Sequence, residues 1–151
     1  INVNSTFFDS SVLSIPSSQH DSHPNLLIDV TNENNGKIHL SEDINASHQN
    51  WDFICCGPNI YYIRSCSQSL KHQFLYSIND FKIAIKLFDG YMCDEYKWEL
   101  INQGKKFDRN IWLIRNVKTN KYLDTGPHDN HKCGREAYTN KRCGDEQLFC
   151  I

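Results

Sequence analysis

Seven cysteines and seven histidines are the residues of this 151-residue chain with the most chemistry open to them. Cysteines bind zinc, attack electrophiles or pair as disulfides, and their spacing separates these uses. No C-x-x-C occurs, so no zinc signature is formed. Seven thiols are many for a reducing compartment, and two N-x-S/T acceptors, Asn4-Ser5-Thr6 and Asn45-Ala46-Ser47, agree with an oxidising one. Glycosylation is expected at Asn4 and Asn45. Since seven is odd, at least one thiol must stay unpaired or link two molecules. The histidines gather twice, in His20-Asp21-Ser22-His23 and in His128-Asp129-Asn130-His131 with Cys133. Neither set supplies four ligands at a familiar spacing, so no metal and no cofactor are expected. Catalysis has less to build on: there is no nucleophile motif, no Gly-rich phosphate loop and no spaced pair of carboxylates, so the chain is expected not to be an enzyme.

Charge is unevenly spread. Residues 1–60 carry net −6, residues 61–103 net 0 and residues 104–151 net +4. Such a distribution can steer an oppositely charged partner. The basic candidates are Lys105, Lys106, Arg109, Arg135, Lys141 and Arg142, which suit a sulfated glycan or an acidic lipid. No nucleic-acid partner is expected. No apolar run approaches the ~18 residues of a membrane span, so no transmembrane segment is expected. The chain opens with neither Met nor an apolar leader, as expected of a secreted, extracellular protein whose signal peptide has been removed.

These residues need elements to hold them, and the elements repeat. Gln49-Asn50-Trp51 opens the apolar run Asp52-Phe53-Ile54. Tyr96-Lys97-Trp98 does the same 47 residues later, and Gln147-Leu148-Phe149 again 51 residues after that. Two more columns keep step. One is Val12-Leu13-Ser14-Ile15, Tyr61-Tyr62-Ile63-Arg64 and Trp112-Leu113-Ile114-Arg115. The other is Leu27-Ile28-Asp29-Val30, Phe74-Leu75-Tyr76-Ser77 and Tyr122-Leu123-Asp124-Thr125. Three columns in phase mark an internal repeat.

A hydrophobic share of 39% and an aromatic share of 12% describe one globular domain. Three separate domains of about 50 residues would each be marginal, so the units should share one core. The units are residues 12–56, 60–101 and 111–151, behind a flexible arm at residues 1–11. Asn34-Asn35-Gly36 predicts a hairpin in the first unit. Phe81-Lys82-Ile83-Ala84-Ile85-Lys86-Leu87 alternates as a half-buried strand in the second. Gly57-Pro58-Asn59 and Gln103-Gly104-Lys105 are expected turns at its two ends. No helical spacing persists, and the chain is all-β.

The repeat resembles the ricin B-chain-like β-trefoil lectins, whose units each end in Q-x-W preceded by a Leu-Asp pair. Gln49-Asn50-Trp51 is a complete Q-x-W, Gln147-Leu148-Phe149 a variant, and Tyr96-Lys97-Trp98 keeps the tryptophan. Leu123-Asp124 matches the Leu-Asp pair and Ile28-Asp29 nearly does. The resemblance implies a β-trefoil of three four-stranded units with pseudo-threefold symmetry, six strands closing a barrel and six capping it, with Trp51, Trp98 and Phe149 in the core. It also implies a shallow sugar pocket in each unit, made of an Asp, a stacking ring and an amide. Asp29 and Gln49 represent it in the first unit, with Ser41 near the ring position and His48 near the amide. Phe88 offers a ring in the second, where Tyr76 replaces the acid. Asp124 and Gln147 represent it in the third, with Thr139 near the ring position and Glu146 near the amide. On that mapping no unit is complete, and galactose or lactose should bind weakly or not at all. Asp29 and Asp124 have a structural alternative, capping backbone amides at strand ends.

Three kinds of partner follow in order: a protein engaged through the loops, as an effector or inhibitor would engage it; a glycan bound at altered lectin sites; and an anion at the basic residues. The fold would also bring the chain after Asn140 beside the loop that carries Cys133, making Cys133–Cys143 a disulfide candidate. Cys55 and Cys56 should face opposite ways, one of them available to Cys66 or Cys93. The protein is expected as a monomer, or as a dimer linked through its odd cysteine.

Overall fold

Alternation of buried and open side chains builds the molecule. In β3, Trp51–Gly57, Trp51 and Phe53 are buried while Asp52 and Ile54 are partly open, the period expected of a strand with one face on a core. The computed structural model describes residues 26–30, 37–42, 47–70, 72–88, 93–106, 109–126, 136–144 and 147–150. Besides β3, the described strands are β1 (Leu26–Val30), β2 (Ile38–Glu42), β4 (Ile60–Ser65), β5 (Gln73–Ser77), β6 (Ile83–Leu87), β7 (Lys97–Lys106), β8 (Arg109–Asn116), β9 (Tyr122–Asp124), β10 (Tyr138–Asn140) and β11 (Phe149–Cys150). Among the described residues there is no α-helix; three-residue 3-10 turns lie at Ser47–Gln49, Gln68–Leu70 and Asp94–Tyr96. The expected first strand at residues 12–15 and the arm at residues 1–11 lie outside the described residues.

The strands fall into two sets, joined by single pairs at Arg64–Phe74 and Arg115–Tyr122. β3, β4, β7, β8 and β11 neighbour one another in that order, all antiparallel. The other six form three hairpins, β1–β2, β5–β6 and β9–β10, one in each unit. The hairpins meet each other: Ala137 N–H donates to Ile38 O at 2.8 Å, and Thr139 N–H to Phe81 O at 3.0 Å. One core runs through all three units and contains Ile28, Leu75 and Leu123 together with Trp51, Trp98 and Phe149. The two indoles repeat one hydrogen bond. Trp51 Nε1–H donates to Ile28 O and Trp98 Nε1–H to Leu75 O, each at 3.1 Å.

Outside the barrel the repeat is electrostatic. Asp52 faces Arg64 across β3–β4, with Arg64 Nη2 at 2.7 Å from Asp52 Oδ2. Glu99 faces Arg115 across β7–β8, and the guanidinium donates to Glu99 Oε2. Both pairs are partly exposed, so each contributes at most about 1 kcal/mol. They still favour one register over a slip by one residue.

Two segments depart from the sequence expectation. Gln103-Gly104-Lys105 does not turn; the ladder shifts register between Asn102 and Lys105 and continues to Lys106. Asn102 Oδ1 accepts the Gly104 N–H at 2.6 Å, and Gly104 takes φ +90°, a conformation glycine adopts without a Cβ penalty. The second is Phe81, which does not belong to β6. Asn79 Oδ1 accepts the N–H groups of Phe81 and Lys82, both at 2.9 Å, and this Asx turn holds Phe81 outside the strand.

Candidate functional site

The end of β9 carries Asp124, and hairpin register decides what faces it. Asp124 pairs with Tyr138 and Leu123 with Thr139. Directly opposed residues share a sheet face, so the Tyr138 ring shares the outer face with Asp124. Thr139, near the ring position by sequence, faces inward and is fully buried. The correction is a one-residue slip, which moves a side chain to the other face.

Asp124 is only 2% exposed, and both of its oxygens are engaged. Oδ1 accepts the Gly126 N–H at 2.7 Å. Oδ2 accepts from Gln147 Nε2 at 3.1 Å and from the Cys143 thiol at 3.6 Å. The amide cap is therefore present, as the structural alternative for Asp124 expected. Gln147, fully buried, ties the corner together. Its Nε2 also donates to Lys141 O at 2.6 Å, and its Oε1 accepts from Cys143 N at 3.0 Å and Arg142 Nη1 at 3.2 Å. The acid, the buried Gln147 and a ring are thus gathered in the third unit. Glu146 lies outside the described residues.

The first unit keeps the acid and amide but not a phenyl or indole ring. Gln49 Nε2 donates to Asp29 Oδ2 at 3.3 Å, and His48 Nδ1–H to Asp29 Oδ1 at 2.6 Å. His39 faces Asp29 across the hairpin, its Nε2 3.9 Å from Oδ2. His48 thus does reach the acid. Ser41 pairs with Leu27 instead.

The second unit has exchanged polarity for aromatic packing. Tyr76 stands where the others have Asp and Tyr96 where they have Gln, and the two rings meet at 4.7 Å and 64°. Tyr96 OH donates to Leu87 O at 3.1 Å, Lys86 Nζ lies 4.6 Å over the Tyr76 ring, and Phe74 packs edge-on against Phe88 and Tyr96. Phe88 is a half-open ring, and Tyr76 stands in this unit where Asp124 stands in the third.

The backbone places the described basic candidates in two groups. Lys105, Lys106 and Arg109 lie at the tip of the β7–β8 hairpin. Lys141 and Arg142 lie between β10 and β11. Arg135 falls outside the described residues, as do Asn4, Asn45, Cys133 and both histidine clusters. Among the described residues, no group of histidine, cysteine and carboxylate side chains could hold a metal ion.

Cys55 is half-buried and its neighbour Cys56 exposed, in keeping with adjacent strand positions. Their thiols turn to local carbonyls, Gly57 O at 3.3 Å and Ile60 O at 3.5 Å. Burial, reinforced by the Asp52 carboxylate that its S–H meets, pushes the Cys66 thiol up to about 12. The expected bridge from Cys55 or Cys56 to Cys66 or Cys93 is not formed; all four are thiols. Among the described residues, no helix is long and apolar enough to cross a membrane.

Three hairpins capping a shared barrel, with an acid-amide corner recurring in two of the units, define a β-trefoil protein. Solved structures agree on the fold. The designed threefold-symmetric protein ThreeFoil matches with a TM-score of 0.71 at 16% identity, over 91% of this chain and 93% of its own. A ricin B-like lectin of Macrolepiota procera in complex with lactose matches at 0.66 and 17% identity, over 95% of this chain and 96% of its own. A GH43 β-1,3-galactosidase matches at 0.66 and 19% identity over 91% of this chain, but over 25% of the enzyme. No family model and no curated protein sequence matches the chain.

Proposed function

We propose that this β-trefoil is a non-enzymatic carbohydrate-binding protein whose site lies in its third unit. One observation carries the reading: Tyr138 opposes Asp124 on an outer sheet face, while Gln147 fixes that carboxylate from the side. The partly open ring offers a surface for the apolar face of a pyranose, and the carboxylate beside it, 2% exposed with both oxygens engaged, orders that corner. The sequence ranked a protein partner first because no unit kept acid, ring and amide together. The register of β9 and β10 supports a ring beside the acid in the third unit alone, which answers the half of that objection that concerned the ring. The lactose-bound relative of the same fold adds support at the level of the fold. Secretion belongs to the same reading, resting on the seven cysteines and the acceptors Asn4 and Asn45.

A glycan array at low and high salt tests it. The expected outcome is binding that persists at high salt and falls about tenfold or more in Tyr138→Ala, with the melting temperature lowered only slightly. Silence on the array, or binding indifferent to Tyr138→Ala, overturns the reading. A protein partner remains the second reading, favoured by Leu87 and Phe88, which stand 59% and 46% exposed at the end of one hairpin.

A further inference from the structure

We propose that the tip of the β5–β6 hairpin forms a second apolar subsite beside the third-unit site, so that the protein takes a glycan of two or more residues rather than a single sugar. The inference rests on the carbohydrate reading above. Among the described residues, the large apolar side chains most open to solvent are Ile78, Phe81, Leu87 and Phe88, all from this one hairpin. Phe81 is the most exposed, at 65%. Its exposure is built in, since Asn79 Oδ1 holds the Phe81 and Lys82 amides in a turn.

That turn is fastened to the third unit. Thr139 donates twice to it, from its N–H to Phe81 O and from its hydroxyl to Asp80 O, both at 3.0 Å. Thr139 follows Tyr138 directly. The backbone bearing the Phe81 ring is therefore about one strand spacing, ~4.8 Å, from the backbone next to the proposed stacking ring. On this assignment two units contribute one ring each to a common rim. Lys82 follows Phe81 and Lys141 follows Asn140, both exposed, and their ammonium groups are free to reach sugar hydroxyls on this assignment. A sugar seated on Tyr138 leaves its glycosidic neighbour over Phe81, and the apolar face of that second residue is the chemistry an exposed phenyl ring recognises. A protein or lipid partner has no need of the Tyr138–Asp124 corner beside it.

Phe81→Ser removes the ring and keeps both backbone anchors, so the variant should fold normally. The probes are an array of monosaccharides with the di- and tetrasaccharides that extend them, at one salt concentration, followed by calorimetry on the leading monosaccharide and its disaccharide. Wild-type protein is expected to bind the disaccharide more tightly. Phe81→Ser should weaken the disaccharide about three- to tenfold and leave the monosaccharide unchanged, while Phe88→Ser changes neither. Equal wild-type affinity for both lengths overturns the inference alone, as does equal weakening of both by Phe81→Ser or the same loss in Phe88→Ser. Silence of the wild type toward every sugar overturns the carbohydrate reading and this inference with it.

Discussion

Trp98 and Phe149 hold equivalent places in successive units, and they differ by one hydrogen bond. Both are fully buried, but only the indole reaches a carbonyl, Leu75 O at 3.1 Å. The ring itself is the larger contribution. Replacing Trp98 by Ala should cost about 3–5 kcal/mol, the usual penalty for emptying an aromatic core site. Trp98→Phe keeps a ring that the core already accepts at Phe149 and leaves Leu75 O unsatisfied, so it should cost about 1–3 kcal/mol. Urea unfolding of the two variants checks the order. Equal losses would mean that the indole N–H, and not the filled volume, holds this position. The other polar residues in the core obey the same rule, since Gln49 and Gln147 are buried only because each donates to a carboxylate.

At the scale of the element, the Asp-Gln corner and the Tyr76-Tyr96 pair are two solutions to one packing problem, and they do not mix. An Asp placed at position 76 would lose the ring packing against Tyr96, which offers no amide in return, and would have only the partly solvated Lys86 ammonium nearby. Tyr76→Asp should therefore destabilise by about 2–3 kcal/mol. Adding Tyr96→Gln should recover about 1 kcal/mol or more, a coupling that a double-mutant cycle measures; strictly additive losses would contradict it. The hairpins also explain which part of the site could be found in the sequence. Asp29 pairs with His39, Tyr76 with Ala84 and Asp124 with Tyr138, at separations of 10, 8 and 14 residues. Because the hairpin loops differ in length, counting along the chain arrives at Thr139, one residue past the ring. Tyr138 was discoverable only from the pairing, or from the rule that the residue opposing an outward acid must itself point outward. Phe81 misled for a related reason. Its place in an alternating run was outweighed by Asn79, whose side chain captures the backbone before the strand begins.

The whole molecule was more legible than its sites because threefold packing fixes core positions and leaves loops free. The columns through Ile28, Leu75 and Leu123, and through Trp51, Trp98 and Phe149, recur at near-constant spacing and coincide with the single core. Each unit supplies roughly a third of that core, and a chain of about 50 residues buries too little surface to persist alone. Unfolding should therefore be one transition, in which damage to one unit is felt by the others. Phe149→Ala makes the sharpest test. The side chain belongs to the third unit and opposes Trp112, so the comparison is made in a Trp112→Phe background, where the remaining Trp51 and Trp98 report on the first two units. Denaturant curves followed by tryptophan fluorescence and by far-UV circular dichroism should coincide in that background and shift together in the variant, by about 3–5 kcal/mol. A fluorescence midpoint that stays in place while dichroism moves, or two separate transitions, would mean that the units are independent, and the shared core would then not be what holds the fold together.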